Sequence, residues 1–232
     1  MESQLQSNHT PPSLRTLPLF ATCPADEMGA LEQRARYRQF RGGEVIFREG
    51  EPAEDIFCIC RGKVKLIKGN PHQRERIVAF AGNGEVIGLR CLLGFQKFDK
   101  TAIALEPTAG YFLSKSDLLR LFRKHPDLII KLMKQIIYHL EEIDERIVEV
   151  TSKKMAQRLA ETILYLQSTF GVDADGNINI RVGRKDLANF IHSNRYTVYR
   201  LLAEFRNKGI IEFDRKRLKI LDPEKLAEIA RK

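Results

Sequence analysis

Between Phe40 and Phe112 the apolar residues fall in short, often alternating runs: Val45-Ile46-Phe47, Ile56 to Cys60, Val64 to Ile67, Ile77 to Phe80 and Ala102 to Leu105. Turn-forming sequence separates them, as in Arg41-Gly42-Gly43, Glu49-Gly50-Glu51-Pro52, Arg61-Gly62, Gly69-Asn70-Pro71 and Ala81-Gly82-Asn83-Gly84. Short strands punctuated about every ten residues predict a barrel or jelly roll. The period then changes. Asp117 to Lys124 suits a short helix, and Pro126 suits the first turn of a second one. From there Ile129, Met133, Ile136, Leu140, Ile143, Ile147 and Val150 recur at alternating steps of four and three, a heptad seam. Such a stripe is narrower than a globular helix usually needs. It suits self-association; the plainer reading is an amphipathic helix packed on its own barrel.

The last third opens with a helix from Ser152 to about Phe170, a polar loop from Gly171 to Gly176, and an alternating Ile178, Ile180 and Val182 that predicts a short strand. Arg184 to Leu202 then reads as helix, tight turn, helix. Ala188 is small where the two helices would meet; Leu187, Ile191, Val198, Leu201 and Phe205 supply apolar contacts; Asn194 is a good N-cap. The second helix would present Arg195, Tyr196, Tyr199 and Arg200 outward, a face suited to the major groove of DNA. Gly209 to Phe213 and Arg217 to Ile220, joined by Asp214-Arg215-Lys216, read as a hairpin with a basic tip, which makes the unit a winged helix-turn-helix.

Charge supports that reading. The chain has 232 residues and a net charge of +9. Residues 151–232 hold 17 basic and 10 acidic side chains, and residues 181–219 alone hold 11 and 4. A basic end suits nucleic acid or a membrane surface. A ligand-binding module whose last domain docks a protein or membrane is the competing reading, against which the winged motif argues. No run reaches 18 consecutive apolar residues and no secretory leader opens the chain, so a cytoplasmic protein is expected. Cys23, Cys58, Cys60 and Cys91 lack zinc-finger spacing and read as buried thiols, with a redox or metal role as the alternative. There is no GxSxG, P-loop or HExxH, and Gly82-x-Gly84 lacks the third glycine and helix of a dinucleotide turn. No enzyme and no metal site are expected.

Three stretches together resemble a Crp/Fnr-family transcription regulator over residues 14–230. Phe40 to Ala53, continuing through Arg61-Gly62-Lys63-Val64-Lys65-Leu66, is similar to the start of a cyclic-nucleotide-binding-type β-roll. The heptad helix stands where that family's dimerisation helix lies, and Asp186 to Leu202 matches its helix-turn-helix. The resemblance implies an α+β fold: an N-terminal double-stranded β-helix or jelly roll (14–124) that senses an effector, a long dimerisation helix (125–151), and a C-terminal winged helix-turn-helix (152–232). It implies a homodimer on a roughly palindromic DNA site, RNA polymerase as a further partner, a small-molecule effector, and no membrane. Arg184, Lys185, Ser193, Asn194, Arg195, Tyr196, Thr197, Tyr199 and Arg200 would meet DNA. Arg200 matches the arginine that reads guanine. Tyr196 stands where a glutamate commonly contacts cytosine, and His192 replaces the turn glycine.

The resemblance also points to an effector region at Gly88, Leu89, Arg90, Lys100 and Thr101. Leu89 occupies the place of the glutamate that holds the ribose in cyclic-AMP-responsive members, and Lys100 that of an arginine holding the phosphate. Leucine cannot accept a hydroxyl hydrogen bond, and lysine loses the two-pronged fit to phosphate. These departures argue against cyclic AMP. Cys23 alone near the N-terminus argues against an Fnr-type iron–sulfur cluster, whereas His72, His125 and His139 leave haem open. The effector's identity is not legible.

Overall fold

The structure is a computed structural model that describes residues 11–69, 76–134, 136–137 and 154–231. A helix α1 (Ala25–Arg34) leads into eight strands: β1 (Arg36–Phe40), β2 (Val45–Phe47), β3 (Asp55–Arg61), β4 (Val64–Lys68), β5 (Arg76–Ala81), β6 (Val86–Ile87), β7 (Thr101–Ala104) and β8 (Thr108–Ser114). They form two antiparallel four-stranded sheets, ordered β1-β8-β3-β6 and β2-β7-β4-β5, the two faces of a β-roll. The five predicted strands are all present. Three were not singled out. β6 is only two residues long, and β1, Arg-Tyr-Arg-Gln-Phe, has no fully buried position and so carries no apolar alternation. β8 is buried nearly throughout, which removes the alternation for the opposite reason. Gly110 is required there, because a Cβ would fall 2.1 Å from the Cys58 carbonyl oxygen of the neighbouring strand.

Helix α2 (Lys115–Lys124) starts one turn-half earlier than predicted because Ser114 caps it, accepting the Asp117 N–H at 3.1 Å. A helix α3 follows, helical at 127–134 and 136–137. Leu128 and Leu132 are buried in the roll's own core, whereas Ile129, Ile130, Met133 and Ile137 are exposed. At about 100° per residue the apolar arc spans roughly 200°, about twice what packing on one surface uses. The helix therefore packs on its own roll, but with only part of its apolar surface. One stripe packs on the roll and a second lies open, with half-buried Ile136 between them and Ile130 and Ile137 added. Leu140, Ile143, Ile147 and Val150 lie outside the described residues.

The C-terminal part contains α4 (Met155–Phe170), α5 (Arg184–Phe190), α6 (Arg195–Asn207), the hairpin β9 (Ile211–Asp214) and β10 (Arg217–Ile220), and α7 (Pro223–Arg231). The expected strand at 178–182 is not formed. Ile178, Ile180 and Val182 are all buried, but only Ile178 bridges to Val172 and donates its N–H to the Leu218 carbonyl. Their alternation reflects a loop pinned over the core, since burial alone can produce period two without a paired strand.

The two parts share a contact surface on β4 and β5. Ile67, Ile77 and Phe80 belong to the same apolar cluster as the cores of α4, α5 and α6. The rings of Phe80 and Phe190 lie 4.8 Å apart. Gly82 admits the Phe170 ring, which a Cβ would meet at 3.1 Å. Polar ties flank this contact. Lys63 reaches Glu106 at 2.8 Å and Asn179 at 3.3 Å, and Lys65 on β4 reaches Asp186 on α5 at 2.7 Å.

Candidate nucleic-acid interface

Asp186 lies inside the first helix of the predicted motif and organises its start. Its second carboxylate oxygen accepts the Gly183 N–H at 3.1 Å while the first holds Lys65. The turn follows the predicted course: Ser193 donates its N–H to the Ala188 carbonyl, and Asn194 caps α6 by accepting the Thr197 N–H at 2.8 Å. His192 adopts φ 54°, the left-handed conformation that a glycine would take without strain. His192→Gly is expected to stay within about 1 kcal/mol of the parent, whereas His192→Val should fall about 1–2 kcal/mol below the glycine variant, because a β-branched residue is poorly accommodated there. Urea denaturation midpoints check this; equal midpoints for the glycine and valine variants would contradict it.

Leu187, Ile191, Val198, Leu201 and Phe205 are buried as predicted, so the outward face of α6 is fixed in direction. Arg195, Tyr196, Tyr199 and Arg200 are exposed, and a groove of about 440 Å³ runs along Tyr196, Tyr199, Arg200, Ala203 and Asn207. Lys185 is exposed beside them, while Ser193 and Thr197 are half-buried and their N–H groups serve the turn and the cap. Arg184 also makes contacts within the protein that the sequence did not indicate. Its guanidinium lies over the Tyr199 ring at 5.1 Å and over Phe213 of β9 at 5.6 Å, joining α5, α6 and the wing. Phe213 lies 29 positions from Arg184, beyond any local periodicity. The wing turns through Arg215 and Lys216, with Asp214 paired to Arg217, so three adjacent basic residues stand at or beside its tip.

At the other end, the effector-region residues lie together but are differently engaged. Gly88 has φ 84°, and a Cβ there would meet the Phe98 ring at 3.0 Å. Leu89 packs against the roll's core. Arg90 pairs with Asp99 at 3.1 Å and lies over the Phe95 ring at 4.0 Å; Lys100 also approaches Asp99, at 3.7 Å. The Thr101 hydroxyl accepts the Glu49 N–H at 2.9 Å. The two cations of the segment thus converge on one carboxylate. Beside them opens a groove of about 750 Å³ lined in part by Pro52, Phe95, Lys97, Lys115 and Leu119, none of which belongs to the effector region expected from the sequence. Cys23, Cys58 and Cys60 are free thiols. Burial raises all three, Cys58 most strongly and Cys60 to about 11, which removes thiolate reactivity near neutral pH. Among the described residues no cluster of three metal-ligating side chains occurs, and no helix is long and apolar enough to cross a membrane.

A cyclic nucleotide-binding domain model matches residues 37–125, and a Crp-like helix-turn-helix domain model matches residues 157–229. The chain is similar to the global nitrogen regulator of Synechococcus elongatus, 27% identical over 206 residues that cover 87% of this chain and 93% of the relative. It is also similar to the CRP-like cAMP-activated global transcriptional regulator of Mycobacterium tuberculosis, 23% identical over 215 residues covering 92% and 96%. Among solved structures, FixK2 from Bradyrhizobium japonicum superimposes with a TM-score of 0.75 at 22% identity, covering 84% of this chain and 96% of that one.

Proposed function

From the premise that this chain belongs to the Crp/Fnr family of transcription regulators, whose members are regulators rather than enzymes, we propose that it binds a roughly palindromic DNA site as a homodimer, under the control of an effector sensed by its β-roll. One observation carries the DNA reading. A capped α6 holds Arg195, Tyr196, Tyr199 and Arg200 exposed on one side of the domain, within a segment whose basic residues outnumber the acidic 11 to 4. Two such helices, one per protomer, would enter successive major grooves. The exposed stripe of Ile129, Ile130, Met133 and Ile137 supports pairing of two copies along α3. RNA polymerase as a further partner and a cytoplasmic setting follow from the same reading.

The effector enters this proposal through the surface that joins the domains. Lys65, Phe80 and Gly82 of the roll touch Asp186, Phe190 and Phe170, so a rearranged β4–β5 face would act directly on α5. Cyclic AMP fits poorly. Leu89 offers no acceptor to a ribose. Arg90 is paired with Asp99 and Lys100 lies 3.7 Å from the same carboxylate, so a phosphate would have to compete with Asp99 for both cations. Native mass spectrometry of freshly purified protein would report any bound haem, cluster or nucleotide together with the dimer mass.

The deciding experiment is a salt titration of duplex binding. If the basic face meets phosphate, log K should fall with log salt at a slope of about −5, corresponding to about six phosphates neutralised per dimer. Affinity without salt dependence would overturn the proposal. Arg200→Ala should cost about 1–3 kcal/mol at one base pair and relax specificity there, the loss of a two-bond contact to guanine. An equal loss on every sequence would make Arg200 a phosphate contact instead.

A further inference from the structure

We propose that Tyr196 and Tyr199 read the C5-methyl group of a pyrimidine in the major groove, so that the half-site carries that methyl beside the guanine contacted by Arg200. This inference rests on the DNA-binding reading and adds the chemistry of the base that α6 selects.

Three features of α6 support it. The first turn contains no acidic residue, and Glu204, two turns further along the same groove, is paired with Lys208 at 2.7 Å. The N4 amino group of an unmodified cytosine facing the first turn would therefore find no carboxylate there. Second, the positions that face outward carry large carbon surfaces. Tyr196 is 77% exposed and Tyr199 is 53% exposed, and both line the same groove. Third, Tyr199 is held in place. The Arg184 guanidinium lies over its ring at 5.1 Å and reaches Phe213 at 5.6 Å, so the ring is anchored to both α5 and the wing before any DNA arrives. A ring already ordered loses little freedom on binding. Ala203, one turn further on, leaves the groove beside these rings open for a base edge.

In the major groove the pyrimidine C5-methyl is the one apolar group at a base edge. Thymine supplies it in unmodified DNA, and 5-methylcytosine supplies the same group on a G·C pair. Aromatic carbon against that methyl buries both from water, a contact worth about a fourfold gain in affinity per methyl.

The test uses the full-length protein. A selection from a random duplex library gives the enriched site, and competition binding then compares that duplex with versions carrying dT→dU or dC→5-methyl-dC at single positions next to the Arg200-contacted guanine. A loss of about fourfold on dT→dU assigns the methyl to thymine; a comparable gain on dC→5-methyl-dC assigns it to 5-methylcytosine. Tyr196→Ala and Tyr199→Ala should each shrink the difference, while Tyr196→Phe and Tyr199→Phe keep it. An enriched site indifferent to both methyl changes, or alanine variants that keep the full preference, would overturn the inference and leave the DNA reading standing. Failure to enrich any sequence would instead overturn the DNA reading beneath it.

Discussion

Asp186→Ala is expected to destabilise the protein by about 3 kcal/mol, lowering the midpoint of thermal unfolding by about 10 °C. The carboxylate serves two elements at once. One oxygen holds Lys65 of the β-roll at 2.7 Å, and the other receives the Gly183 N–H at the start of α5. Both partners of the ion pair are nearly buried, with side chains 13% and 11% exposed. Removing the acid leaves Lys65 charged in a place with little water and strips the helix start of its acceptor. Breaking a buried pair on one side costs far more than the pair contributes, because the desolvation penalty of the remaining charge is no longer offset. Lys65→Met is the control. It removes the cation and its desolvation together, and leaves Asp186 its Gly183 hydrogen bond, so its cost should be smaller. The double variant should recover part of the loss, giving a coupling of about 1 kcal/mol or more in a double-mutant cycle. Additive losses would show that the two side chains do not act as a pair.

The second large effect is on assembly. Met133→Glu should weaken dimerisation by at least about a hundredfold, because each copy would bring an unpaired carboxylate into an apolar seam. Met133 is 54% exposed in the single chain, so the substitution leaves the fold itself intact. Lys134→Glu, one residue on and also exposed, carries the charge change off the apolar stripe and serves as the control. Sedimentation or light scattering would report the oligomer, and duplex affinity should fall with it, since one recognition helix alone loses the second half-site. A Met133→Glu protein that still ran as a dimer would move the interface away from this stripe.

How much of this was legible in the sequence follows from the range of the interactions. The helix-turn-helix was, down to the Asn194 cap and the turn position that His192 takes from a glycine, because each depends on neighbours three or four residues away. The five strands named in advance alternate or run apolar between turns. β1 and the buried β8 were hidden, because an edge strand with no fully buried position and a strand buried nearly throughout both lack the period-two pattern. The reverse error occurred at Ile178, Ile180 and Val182, where the pattern was present without a ladder to pair with. For α3, the strict heptad positions include the exposed Ile129 and Met133 but not Ile130 and Ile137, which are exposed as well. The width of the apolar arc, readable from the same residues, would have pointed to two surfaces.

The sequence by itself therefore determined the parts: a roll of short strands, a helix with more apolar surface than one neighbour can cover, and a basic winged unit. Periodicity, caps and charge act within a few residues, and the order of side chains encodes them directly. Tertiary structure alone decided how the parts engage. Lys65 and Asp186 are 121 positions apart, Phe80 and Phe190 are 110 apart, and Arg184 meets Phe213 across the motif. No local pattern specifies such pairs, because their energy appears only once burial has removed water and brought distant segments within a few ångströms. The same holds for Asp99, which in the sequence is one acid among many and in the fold draws both Arg90 and Lys100 to itself.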